Sequence, residues 1–174
     1  MFKHILVATD GSKGANRALD TAAELAKQFG AKVTVTHVLL HGRAAQDVSR
    51  MAETEQLVKA ATQSFSDLDH GPGNLPAAMK SLSNKVGNSR LVAVVGDLIA
   101  ERAASRIKKA GVKNVVTSVP QGDYAEEILK AAEAAGADAI VVGRRGLGTL
   151  RGLLQGSVSQ KITALAPCTV ITVV

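Results

Sequence analysis

Tryptophan is absent from this 174-residue chain, phenylalanine occurs three times and tyrosine once, which excludes binding surfaces built from stacked aromatic side chains. A single cysteine, Cys168, excludes an internal disulfide framework and a thiolate metal cluster, and reads as a small buried hydrophobe. Long hydrophobic runs are missing too. Ala137 to Val142 is among the longest, far below the roughly 20 residues that a membrane-spanning helix needs, and no leader-like segment opens the chain. The expectation is a cytoplasmic protein with no membrane span. His4, His41 and His70 have no spacing that suggests a metal site, and His37 reads as a core or ladder histidine rather than a catalytic base.

What remains is an ordinary globular composition, 46% hydrophobic and 21% charged, at a length suited to one packed domain. The net charge is +6 and the pI near 9.7. Basic residues are spread over Arg102, Arg106, Lys108, Lys109, Lys113, Arg144, Arg145 and Arg151, with no interleaved aromatics. That pattern fits a solvated basic face and not a nucleic-acid surface. Arg144 and Arg145 stand apart, because a phosphate held by the surrounding glycines would lie near both.

Strand and helix signals alternate along the chain. His4 to Thr9 is a continuous apolar run of strand length, halted at Asp10-Gly11-Ser12, where Ser12 is a suitable N-cap. Ala18, Ala22, Leu25, Ala26 and Phe29 then recur at helical spacing, and Gly30 stands at the C-cap. Lys32 to Val38 is a β-branched second strand. Leu91 to Ala110 can be read as a buried strand, "LVAVV", or as one long helix; the recurrence of Leu91, Val95, Ile99, Ala103, Ile107 and Ala110 favours the helix, which makes Val115 to Val119 the third strand. Asp123 to Glu126 has capping-box spacing before a helix that turns Ile128, Leu129, Ala132 and Ala135 inward and ends at Gly136. Ala137 to Val142 reads as a strand, Ser157 to Leu165 as a helix stopped by Pro167, and Thr169 to Val174 as a closing strand. Such alternation implies a parallel sheet with helices on both faces. The interval from Leu39 to Arg90 is less regular: Val48, Met51, Val58, Ala61, Phe65 and Leu68 are compatible with a helix, and His70 to Gly73 breaks it.

The stretch "GRRGLGTLRGLLQGSVSQ", Gly143 to Gln160, holds five glycines between a strand and a helix. At the carboxyl end of a parallel strand, Gly143, Gly146 and Gly156 would let backbone amides approach a phosphate, with Ser157 and Ser159 adding hydroxyls at the helix start. A glycine-rich loop that merely turns the chain fits the spacing equally well. No G-x-x-x-x-G-K-[ST] motif occurs, and no lysine lies between Gly143 and Ser157 to reach the outer phosphates of a nucleotide.

Gly143-x2-Gly146-x9-Gly156-Ser157, with "ILVATDGS" near the start, His37-Val38, and Ala166-Pro167-Cys168 before the last strand, resembles the universal stress protein family. The resemblance covers Phe2 to about Val38 and about Gly111 to Val174, with a helical insertion at about residues 39–90. It implies a single-domain α/β fold: an open parallel five-stranded sheet with helices on both faces, of the adenine nucleotide alpha-hydrolase-like or Rossmann-like kind. It also implies a homodimer, assigned here to pairing through Thr169 to Val174, and ATP binding, with magnesium, without a defined catalysed reaction. Carried over residue by residue, it places Ala8, Thr9 and Asp10 beside the nucleoside and the Val38 backbone against the adenine. Val142, Gly143, Arg144 and Gly146 fall along the ribose and phosphates, and Gly156, Ser157, Val158 and Ser159 hold the phosphates. Arg144 stands where many members have a small polar residue. Three readings follow: an ATP-binding regulatory protein whose dimer responds to nucleotide through an unknown regulatory partner, an interaction module with a vestigial pocket, and a slow ATP-hydrolysing enzyme.

Overall fold

The strand β1, His4–Ala8, is buried at every position, as a strand covered on both faces must be. The computed structural model describes residues 1–39, 88–146 and 156–174. Along them β1 is followed by helix α1 (Lys13–Phe29), β2 (Lys32–Thr36), α2 (Asn88–Lys109), β3 (Val115–Ser118), α3 (Tyr124–Ala135), β4 (Ala139–Gly143), α4 (Ser157–Leu165) and β5 (Thr169–Val173). The strands are parallel in the order β3-β2-β1-β4-β5, so β1 and β4 lie side by side where the winding reverses direction. The expected helix Val48 to Leu68, the break at His70 to Gly73 and most of the expected insertion lie outside the described residues. The two readings of Leu91 to Ala110 resolve in favour of the helix.

Alternation of side chains across the sheet builds two cores. Ile5, Val7, Val33, Val35 and Val141 face α1 and α2, where Ala18, Ala22, Ala26, Ala103 and Ile107 close over them. Leu6, Ala8, Ile140 and Val142 face α3 and α4, meeting Ile128, Ala132 and Ile162. The alanine-rich face of α1 has a plain consequence: short side chains let the helix lie close to the sheet. Arg106 of α2 grips Asp20 of α1 with Nε at 2.6 Å and Nη2 at 2.8 Å, but both side chains are half-exposed, so the pair contributes about 0–1 kcal/mol.

The helix ends follow their sequence signals. Ser12 Oγ accepts from Ala15 N at 3.1 Å, and Asp123 Oδ1 from Glu126 N at 3.1 Å. Gly30 and Gly136 end α1 and α3 in the left-handed region, at φ 66° and 61°, where a glycine incurs no Cβ strain. The following residues, Ala31 and Ala137, donate back to Ala26 and Ala132. That bond makes Ala137 the exit of α3, which is why β4 begins at Ala139 and not at Ala137. Asp138 between them accepts the amides of Lys3 and His4 and so sets the start of β1 against β4.

Candidate functional site

Both β1 and β4 run out at the reversal point, and the chain leaving each turns tightly. After β1, Thr9 N still donates to Thr36 O at 2.9 Å; then Thr9 Oγ1 accepts from Gly11 N at 3.2 Å and Asp10 Oδ1 from Ser12 N at 3.0 Å. These two side-chain turns, with Gly11 at φ 79°, redirect the strand into α1. After β4, Arg144 N donates to Val173 O of β5 at 2.6 Å, and Arg144 O accepts from Gly156 N at 2.8 Å and from Ser159 Oγ at 2.9 Å. The backbone of Arg144, through its N–H and its C=O, thus ties β5 to the start of α4.

The glycines explain how the two turns meet. A Cβ on Gly143 would lie 2.7 Å from Gly14 C and 2.9 Å from Gly14 O, so β4 and the first turn of α1 touch backbone to backbone. Gly14 answers in kind, since a Cβ there would run into Arg145 O. At Gly146 the same position is taken by the Asp10 carboxylate, and at Gly156 Arg144 O is 3.2 Å away. Spacing left Gly143 open between ligand approach and a simple turn; in the fold its bare backbone serves the packing of α1 on β4. Gly14 was missed by the sequence reading, and the only signal for it is a glycine spent in the first turn of a helix.

The expected site residues come together at this junction. Ala8, Thr9, Val38 and Val142 are buried there, while Asp10, Gly143 and Arg144 are half-buried. Gly146 and Ser157 are exposed. Val38 presents its backbone there for a geometric reason. His37 N donates to Ser118 O and Leu39 N to Pro120 O, both toward β3. By the alternation of a parallel ladder, the N–H and C=O of Val38 point the other way, toward the end of β1. Helix α4 begins after Gly156, which has no side chain to cap it, unlike Ser12 of α1 and Asp123 of α3, so no described side chain takes the amides of Ser157, Val158 and Ser159 at its amino end. The Ser159 hydroxyl is not available as expected. It is 2% exposed and committed to Arg144 O and Gly156 O, because a serine in the first helical turn reaches the carbonyls three residues back more readily than solvent.

His37 is 1% exposed, and burial pushes its pKa down, opposed more weakly by its bond to Thr9 and by the Asp10 charge. His4 is likewise lowered by burial and bonds Thr34 Oγ1 at 2.7 Å at the opposite end of the sheet. Cys168 is half-buried with its thiol pKa raised by burial, as a packing residue would be. No described helix is long and apolar enough to cross a membrane, and among the described residues no three His, Cys, Asp or Glu side chains stand together to hold a metal.

A family model described as the universal stress protein family matches residues 1–173. The chain belongs to that family. Universal stress protein YxiE of Bacillus subtilis is 32% identical over 173 residues, 99% of each chain. Among solved structures, the universal stress protein from Archaeoglobus fulgidus in complex with dAMP superposes with a TM-score of 0.60 at 22% identity, covering 99% of this chain and 98% of that one. A universal stress protein in complex with cAMP gives 0.59 at 22%, covering 99% and 96%. These structures share the Rossmann-like fold of this universal stress protein, whose described residues form a five-stranded parallel sheet and four helices.

Proposed function

We propose that this universal stress protein binds an adenine nucleotide, ATP with magnesium, at the junction of β1 and β4, and acts as a cytoplasmic regulatory homodimer that engages an unidentified partner according to nucleotide state. The observation that carries the reading is the convergence, at the reversal of the sheet, of the Val38 backbone turned toward the end of β1, the Asp10 turn and the glycine-capped amino end of α4. Each fits one part of the ligand. A backbone N–H beside a C=O at Val38 complements the acceptor and donor on the edge of adenine. Ala8 and Thr9 floor the nucleoside, and the Asp10 carboxylate is an acceptor for ribose hydroxyls. Val142, Gly143, Arg144 and Gly146 line the path to the phosphates. The amides of Ser157, Val158 and Ser159, with Gly156 and the positive end of the α4 dipole, hold the anion. Magnesium would travel on the phosphates, for want of a protein ligand cluster among the described residues. Neighbours of the same fold bound to dAMP and cAMP support an adenine nucleotide as the ligand class.

For the dimer, the support is the edge position of β5. Among the described residues the strand pairs with β4 alone, and its run of Thr169 to Val174 has no charge or proline to discourage pairing with a second copy. A second reading, an interaction module that binds no nucleotide, is favoured by the finding that Gly14 and Gly143 are already required for packing. Calorimetry separates the two. Saturable heat with ATP and magnesium in the micromolar range, about −8 kcal/mol, supports nucleotide binding; no heat up to millimolar nucleotide sinks it.

A further inference from the structure

At the end of the β1–β2 ladder a side chain replaces a backbone donor. Thr9 N donates to Thr36 O, the last ladder bond. In a ladder carried one residue further, the Thr9 carbonyl would accept from the Val38 amide, because a parallel strand receives from the residue two beyond the one it donates to. Here the Thr9 carbonyl instead accepts from His37 Nδ1 at 2.9 Å. Since a carbonyl only accepts, Nδ1 carries the proton, and Nε2 is the bare nitrogen of a neutral ring. That nitrogen is buried with no hydrogen-bond partner among the described residues, so the ring's described hydrogen bond is the one to Thr9. Helix α2 seals the ring in place. It approaches with Gly96, where a Cβ would lie 3.3 Å from His37 Cδ2 and 2.6 Å from Leu39 Cδ2.

We infer that His37 is a positioning residue: its Nδ1–H takes the Thr9 carbonyl, ends the β1–β2 ladder at Thr9, fixes the turn that carries Asp10, and leaves the Val38 N–H, turned toward the end of β1, for a ligand. Burial keeps the imidazole neutral, consistent with a donor of one fixed tautomer. The step from the open Val38 amide to nucleotide affinity rests on the function proposed above; the step from His37 to the ladder does not.

The test compares the parent with His37→Leu, which fills the space without a donor, and His37→Asn, whose side-chain amide stands where Nδ1–H does. Amide hydrogen exchange followed by NMR reads the ladder directly. In His37→Leu the Thr9 carbonyl recruits Val38 N–H, so Val38 exchange slows by at least about tenfold relative to the parent, while His37→Asn restores parental exchange. Unchanged Val38 exchange in the leucine variant, or equal slowing in both, overturns the inference. ATP titration of the same proteins should show affinity reduced about tenfold or more in His37→Leu and recovered in His37→Asn. If the parent binds no ATP while Val38 exchange still responds, the ladder role stands and the nucleotide reading fails. Should the leucine variant not fold, imidazole nitrogen shifts of the parent near neutral pH decide alone: a protonated Nδ1 with a bare Nε2 supports the role, and the opposite tautomer overturns it.

Discussion

Replacing Gly143 by alanine adds one methyl group where β4 crosses α1. The new carbon would stand 2.7 Å from Gly14 C, 2.9 Å from Gly14 O and 3.0 Å from Ala15 N, all backbone atoms. None belongs to a side chain that can rotate away. The α1 side is held by the Ser12 cap and by buried Ala15, Ala18 and Leu19; the β4 side is pinned by pairing to β1 and β5. Overpacking of this kind costs about 1–3 kcal/mol, and contacts made wholly with backbone argue for the upper end, about 3 kcal/mol. For a chain of this size each kcal/mol lowers the melting temperature by about 2–4 °C, so a fall of roughly 6–12 °C is expected. Urea unfolding should show the midpoint falling at unchanged slope. Gly30→Ala is the control: nothing lies within 4 Å of its new carbon, but at φ 66° the left-handed backbone alone costs about 1–2 kcal/mol. A Gly143→Ala protein within about 0.5 kcal/mol of the parent, inside the range of an ordinary surface change, would refute the backbone contact between β4 and α1.

Gly146→Val should separate fold from ligand. Its new carbon meets the Asp10 carboxylate, which must give up its bond to Ser12 N to move aside, at about 0.5–1.5 kcal/mol, so the melting temperature falls by no more than about 6 °C while calorimetry shows ATP binding lost; retained binding would place the loop elsewhere. Acid stability should depend on Asp138, whose pKa is lowered chiefly by the amides of Lys3 and His4. The native state then binds fewer protons than the unfolded chain, so this stabilisation is present above the unfolded carboxylate value of about 3.9 and is lost as pH falls through the lower folded value. In urea titrations across that window Asp138→Asn should flatten the decline, and an identical pH profile would argue against the assignment. Val173→Lys, on the edge strand, should convert a dimer of about twice 18 kDa in light scattering to monomer or aggregate, and a parent mass near 18 kDa would count against the dimer itself.

Local signals carried most of the fold. Ser12, Gly30, Asp123 and Gly136 each did in the structure what their type and position announced, because a cap is an interaction within a few residues. The periodic Leu91 to Ala110 run defeated the strand reading because its spacing matched a helix over five turns while "LVAVV" matched a strand over one short run. The start of β4 was misjudged by two residues, since Ala137 and Asp138 are apolar or short but are claimed by α3 and by the start of β1. At the junction, sequence separation was the obstacle. Gly143 meets Gly14, and His37 Nδ1 meets Thr9 O, only after the sheet has formed; nothing in the intervening residues announces either contact. The inward turn of the Ser159 hydroxyl was local but ambiguous, because a serine at a helix start can face ligand or carbonyl.

The backbone contact between β4 and α1 also has an entropic meaning. A contact made by side chains must freeze rotamers each time it forms, and its length varies with which rotamer wins. Where Gly143 meets Gly14 there is no χ angle to freeze, and the conformational cost lies in the two glycines of the unfolded chain. Once folding has met that cost, the gap between the two turns is set by atomic radii alone. Substitutions in the surrounding cores can change how firmly the domain holds together while leaving the spacing of the junction as it was.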